Sequence, residues 1–149
     1  SSLMESVDAV AQTLDRIRRI GAQLSIDDFG TGYSSLSHLH RFPMNNLKID
    51  QAFVREMHQS HESMQIIKTI ALLAHALGMA IIAGGSEEES HIRVLQEMDC
   101  QFGQGFFFSK PVTAERATEL LAQQVPEWSE AIRRPLDVAD VAPESGRRK

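Results

Sequence analysis

Asp27 and Asp28 stand side by side at the end of the run Leu24-Ser25-Ile26, and Phe29-Gly30-Thr31-Gly32 follows at once. Adjacent carboxylates repel, so such a pair is stable where a cation or hydrogen-bond donors neutralise it. A turn opened by aspartate ahead of Gly30 accounts for the same residues without any chemistry. Three further strand-like segments end on polar groups. Lys48 and Asp50 lie in Leu47-Lys48-Ile49-Asp50, Glu87 follows the apolar residues 79–83, and Gln104 stands between Gly103 and Gly105. Several carboxylates, an amide and a lysine suit a hard divalent cation, which prefers oxygen ligands. The lysine could orient water or stabilise charge on a phosphoryl oxygen. The plainer alternatives are a salt bridge for Lys48 and satisfaction of backbone groups for Gln104.

To gather these groups, the chain must bring the ends of its strands to one place. Val7, Val10, Leu14, Ile17 and Ile20 recur at helical spacing, and Gly21 stops that helix. A strand over 23–27 follows. Ser34 and Ser35 ahead of Leu36 and Leu39 predict a short capped helix ending near Pro43. After the strand at 47–50 and a helical patch at 52–57, the spacing from Ile66 to Leu77 predicts a helix closed by Gly78.

Residues 79–83 read as a buried strand. Ser86 reads as an N-cap, with Glu87, Glu88 and Glu89 in the first helical turn. A fourth strand is expected across 102–108. Phe106-Phe107-Phe108 would be its core, although Phe108 could instead border a ring-stacking pocket. A last helix begins near Thr113. Beyond Pro126, the charged and proline-containing sequence predicts a poorly ordered tail over 126–149.

This alternation of helices and strands implies right-handed parallel crossovers, hence an α/β fold with four parallel strands. Four strands make a small open sheet or half of an eight-stranded barrel, and in either case their ends share one rim. The chain has 149 residues, 42% of them hydrophobic, enough for one core. A formal charge of −5 argues against DNA binding. Cys100 is the only cysteine, which excludes a disulfide framework and a thiolate zinc cluster. No apolar run is long enough to span a membrane and the first residues lack a signal-peptide pattern, so the expected location is cytoplasmic. The six histidines show no zinc-protease pairing, and His75 reads as a packed or surface residue.

The run Asp27-Asp28-Phe29-Gly30-Thr31-Gly32-Tyr33-Ser34-Ser35-Leu36 is followed by Leu47-Lys48-Ile49-Asp50, Gly103-Gln104-Gly105 and Phe108-Ser109-Lys110-Pro111. In order and spacing, from about Leu3 to Leu121, these motifs resemble the EAL-domain cyclic di-GMP phosphodiesterases. The resemblance implies a TIM-like (β/α)8 barrel, of which residues 1–125 are the C-terminal part. It also implies a rim that binds cyclic di-GMP with two Mg²⁺ or Mn²⁺ ions and cuts it to linear pGpG by metal-activated water. Carried over by motif, Asp27 and Asp28 are metal ligands and Asp50 supports the same network. Lys48 holds the attacking water or a phosphate oxygen, and Gln104 positions water or substrate. Glu87 steadies the loop after Asp28, while Ser109 and Pro111 lie near a guanine.

Two departures qualify that expectation. The chain begins after the Glu-Ala-Leu signature and after the family's later asparagine and glutamate ligands. The family's Ala-Glu-Gly-Val-Glu motif here reads Ala83-Gly84-Gly85-Ser86-Glu87, so a metal-binding carboxylate is replaced by Gly84. A half-rim of carboxylates cannot complete two octahedral shells without many waters, and the isolated chain is expected not to hydrolyse cyclic di-GMP. The alternative is a non-catalytic cyclic di-GMP-binding or protein-interaction module in bacterial signalling. Half a barrel also leaves two sheet edges and an apolar inner face. The expected cover is the N-terminal half-barrel, a second copy in a homo-oligomer, or a partner domain.

Overall fold

The computed structural model describes residues 2–32, 39 and 41–123, with side chains from residue 7 onward. The short helix expected after Ser34 and the tail expected over 126–149 lie outside the described residues, apart from Leu39, which is helical and buried. The elements are α1 (Ser2–Arg19), β1 (Ser25–Phe29), β2 (Asn46–Ile49), α2 (Gln51–Glu56), α3 (His61–Ala76), β3 (Ala80–Gly84), α4 (Glu89–Glu97), β4 (Phe102–Gln104) and α5 (Ala114–Ala122). The strands form one sheet in the order β1-β2-β3-β4. All three pairings are parallel. α2 and α3 between β2 and β3, and α4 between β3 and β4, supply long connections of the kind that parallel pairing requires.

The caps explain where the helices begin. Asp50 accepts the Ala52 N–H at the start of α2, and Ser60 accepts the Ser63 N–H at the start of α3. Thr113 likewise caps α5. Each cap satisfies a backbone donor that the first helical turn leaves without a partner. Gly78, at φ +67°, ends α3 in the left-handed conformation that glycine adopts without penalty.

One layer of core lies between the sheet and its helices. Leu47 and Ile49 of β2 and Ile81 and Ala83 of β3 are buried against Ile67, Ile70, Ala71 and Ala74 of α3. Each leucine or isoleucine buried in this layer contributes about 1.5–3 kcal/mol relative to exposure. Because side chains alternate along a strand, Asn46, Lys48 and Ile82 occupy the opposite face. Asn46 there donates to Ser25 Oγ at 3.1 Å, and Lys48 donates to Asp27. Phe102 lies beside Ile82 and Gln104 beside Gly84. The face away from the helices is therefore largely polar, with Ala80, Ile82 and Phe102 as its apolar members, and not the apolar surface expected. Among the described residues, β1 and β4 each pair on one side only.

Other details also differ from expectation. Ser86 does not cap α4. It is fully buried, its N–H donates to the Gln104 carbonyl, and its own carbonyl accepts the Phe107 N–H. The helix starts three residues later, with Glu88 at the N-cap position and no side-chain cap. β4 is only three residues long, and Phe106, Phe107 and Phe108 form a turn in which Phe106 is exposed. The bond from Phe107 to Ser86 folds the chain back and prevents those residues from extending the strand. His75 is exposed, with Nε2 3.2 Å from the Met98 carbonyl oxygen. No helix among the described residues is long and apolar enough to cross a membrane.

Candidate functional site

The four strands deliver their C-terminal ends to one side of the sheet, around a cavity of about 570 Å³. Asp28, Lys48, Glu87, Gln104, Ser109 and Pro111 all line it. Six residues chosen from the sequence as site residues thus share one cavity, although they span more than 80 positions of the chain. Asp27 reaches the same place through Lys48, whose Nζ is 3.1 Å from each of its carboxylate oxygens. Asp50 does not line the cavity. It sits one residue beyond β2 and turns its carboxylate to the Ala52 N–H at 2.8 Å.

Two adjacent aspartates are held in different electrostatic states. The Lys48 ammonium beside Asp27 holds that carboxyl below the usual aspartate value, assisted by the Asp28 N–H, which donates to Asp27 Oδ1 at 2.9 Å. The charge on Asp27 in turn raises Asp28, and Asp50 adds to the same effect. Asp28 has φ +50°, a conformation that non-glycine side chains seldom adopt. The Thr31 hydroxyl donates to its carbonyl at 3.0 Å and ties the following loop to it. Lys48 is therefore an ion-pair partner, the plainer of the two sequence readings, and it occupies the cavity wall as well.

Glu87 is fixed from the helical layer. Its Oε1 accepts from Arg55 Nη2 at 2.6 Å and from Arg55 Nε at 3.1 Å. Gln104 is exposed at the end of β4, and its carbonyl is held by the Ser86 N–H at 3.1 Å. Ser109 Oγ donates to the Lys110 carbonyl at 2.8 Å. Arg55, Phe106 and Lys110 are among the further cavity-lining residues, none of them expected as site residues from the sequence. The Lys110 ammonium lies 5.8 Å from the centre of the Phe106 ring. Nothing in a six-residue helix marks Arg55 as a rim residue. Lys110 had a visible signal, being inside the Phe108-Ser109-Lys110-Pro111 motif.

Lys48, Arg55 and Lys110 set three cations against the carboxylates of Asp28 and Glu87 on the cavity wall. With an exposed aromatic ring and an amide, this surface is suited to an anionic ligand that carries flat rings. Among the described residues, no three His, Cys, Asp or Glu side chains gather closely enough to hold a metal ion. Gly84 also lines the cavity. A Cβ built there would stand 3.6 Å from Lys48 Cε and 3.1 Å from the Ile49 carbonyl oxygen, facing the rim, and glycine supplies no side-chain oxygen. Cys100 adds no thiolate either, since burial pushes its thiol up to about 11.

Comparison with known proteins identifies the family and the fold. The EAL domain family model matches residues 1–111. Cyclic di-GMP phosphodiesterase NbdA of Pseudomonas aeruginosa is 38% identical over 120 residues, covering 80% of this chain and 15% of that protein. The EAL domain of Mycobacterium smegmatis DcpA superposes with a TM-score of 0.73 at 38% identity, covering 78% of this chain and 52% of that one. PaMucR phosphodiesterase in its c-di-GMP complex gives a TM-score of 0.70 at 38% identity, covering 78% and 47%. The chain spans about a sixth of the length of the curated relatives it matches, and about half of these two solved chains. EAL domains are TIM-like barrels, and the four parallel strands alternating with helices are part of one. The chain belongs to the EAL domain family.

Proposed function

We propose that residues 1–125 are the C-terminal part of an EAL-type cyclic di-GMP phosphodiesterase domain, followed by a tail. The chain carries half of the ligand-facing rim and does not itself hydrolyse the dinucleotide. The observation that carries this reading is the single cavity lined by Asp28, Lys48, Glu87, Gln104, Ser109 and Pro111, with Gly84 at its wall. The relative named a cyclic di-GMP phosphodiesterase and the neighbour solved with c-di-GMP support the choice of ligand.

In this reading Lys48 takes a phosphate oxygen or orients water, Gln104 positions the same group, and Ser109 and Pro111 border a guanine. Asp27, Asp28 and Asp50 are the remaining metal-side carboxylates. In EAL phosphodiesterases Mg²⁺ or Mn²⁺ supplies an activated water. Here Asp27 is committed to Lys48 and position 84 has no side-chain oxygen, so the residues present do not complete that metal centre. The missing strands and ligands come from an N-terminal half-barrel or from a second copy, which would pair with the open edges of β1 and β4. A cytoplasmic location fits a cyclic dinucleotide ligand.

A second reading, a binding module without catalysis, is favoured by the three cations and by Gly84. Calorimetry with cyclic di-GMP, with and without Mn²⁺, together with an assay for pGpG, tests both. Binding without pGpG supports them. Robust pGpG overturns the inactive reading, and the absence of any heat of binding removes cyclic di-GMP as ligand of the isolated chain.

A further inference from the structure

We propose that His58 and His91 form an acid-sensitive clasp that positions Glu87 at the rim. Two contacts join the end of α2 to the start of α4. Arg55 of α2 pairs with Glu87, and three residues later His58 stacks on His91, four residues after Glu87. The two imidazole rings are 5.3 Å apart between centroids and 18° from parallel. His91 is buried, and its Nδ1 has no hydrogen-bond partner. His58 is exposed.

A neutral imidazole pair stacks without cost, whereas a second proton would place two cations against each other, one of them buried. His91 also lies in the first turn of α4, where the helix dipole opposes positive charge. The groups that face it are His58 from the α2 end and Glu87 and Glu88 from the loop before α4. On α4 itself, Arg93 is occupied by Glu89. The two glutamates favour the charged form, but burial dominates and His58 acts with it, so His91 sits below the ordinary histidine value. Its proton is thus taken up more readily when the α2–α4 contact opens, and opening removes the scaffold that keeps Arg55 on Glu87.

Acidification below 6.5, the ordinary histidine value, therefore loosens Glu87 as His91 takes up its proton. The device concerns the placement of Glu87 and can be measured without any nucleotide. The experiment is an NMR titration of the whole chain, following the imidazole carbons and the Glu87 side-chain carboxyl, with parallel melting curves for the native sequence, His91→Gln and His58→Gln. The proposal expects the Glu87 signal to move with the His91 midpoint, below 6.5. It also expects His91→Gln to remove at least half of the acid-induced fall in melting temperature. In His58→Gln, which keeps the buried ring, the His91 midpoint should rise. A Glu87 signal indifferent to the imidazole titration, an unchanged His91 midpoint in His58→Gln, or the same acid sensitivity in a folded His91→Gln overturns it. If His91→Gln does not fold, the native titration and His58→Gln decide.

Discussion

The Lys48 ammonium lies midway between the two carboxylate oxygens of Asp27, 3.1 Å from each. That contact joins β1 to β2 on the face away from the helices and commits the lysine to Asp27 rather than to Asp28. Its consequences are opposite for the two aspartates.

Titration of the side-chain carboxyls by NMR should find Asp27 below and Asp28 above 3.8. Lys48→Ala should raise Asp27, because its largest stabilising partner is gone. The sign for stability follows from linkage. The contribution of Asp27 is complete above 3.8 and is lost as pH falls through its lowered folded value. For Asp28, repulsion from Asp27 costs stability above its raised value, and that cost disappears as pH falls to 3.8. If both groups titrate at the same pH, the asymmetry of the rim is refuted.

Gly84→Glu should restore pGpG formation only when the chain is extended by the N-terminal half of an EAL domain. The new Cβ would meet the Ile49 carbonyl oxygen at 3.1 Å, so a modest stability loss of about 1 kcal/mol accompanies it. The reference is the same extended chain with Gly84 left in place, assayed for pGpG under the same conditions. Equal activity in the two would show that the glycine is not the deficient ligand.

Lys110→Ala should weaken cyclic di-GMP binding about tenfold, the loss of one charge-assisted contact, without changing the melting temperature. Lys110 is exposed and, among the described residues, its ring contact is with Phe106. Calorimetry with unchanged affinity would remove Lys110 from the ligand surface.

Gly105→Ala should destabilise the domain by about 3 kcal/mol in urea unfolding. A Cβ there would lie 1.9 Å from the Ser86 carbonyl oxygen, and the opposing group is backbone that cannot rotate away. A change below about 0.5 kcal/mol would mean that the β3 and β4 ends are not packed as described.

Ile81→Ala should cost about 2–5 kcal/mol, since Ile81 is fully buried between sheet and helices. Leu72→Ala, at a side chain 71% exposed, should stay within about 0.5 kcal/mol. Equal losses would contradict the assignment of the core to one side of the sheet.

The alternation of strands and helices was legible because each apolar run has the length and the caps of its element. The shared rim was legible because parallel strands must end on one side, and Gly84 stood out against the motif around it. Ser86 was misread for a physical reason. A serine before three glutamates has the composition of a helix start, but its backbone is already bonded to Gln104 and Phe107, partners 18 and more residues away. The same tertiary bond turns the three phenylalanines out of the strand that their hydrophobicity predicts. Arg55 was invisible because its role depends on Glu87, on another element.

The register of β1 against β2 gives the aspartate pair its meaning. Ser25 and Ile26 pair with Asn46 and Leu47, whereas Phe29 pairs with Ile49, so β1 contains one residue more than its neighbour over this interval. Strict alternation would send Ile26 and Phe29, three positions apart, to opposite faces. The additional residue resets the phase, and both side chains join the helix-facing core. Two consecutive carboxylates are thereby kept out of the apolar layer, a placement that no unbroken strand can give to neighbours. Deleting either aspartate would realign the ladder and leave one acid where the rim has two.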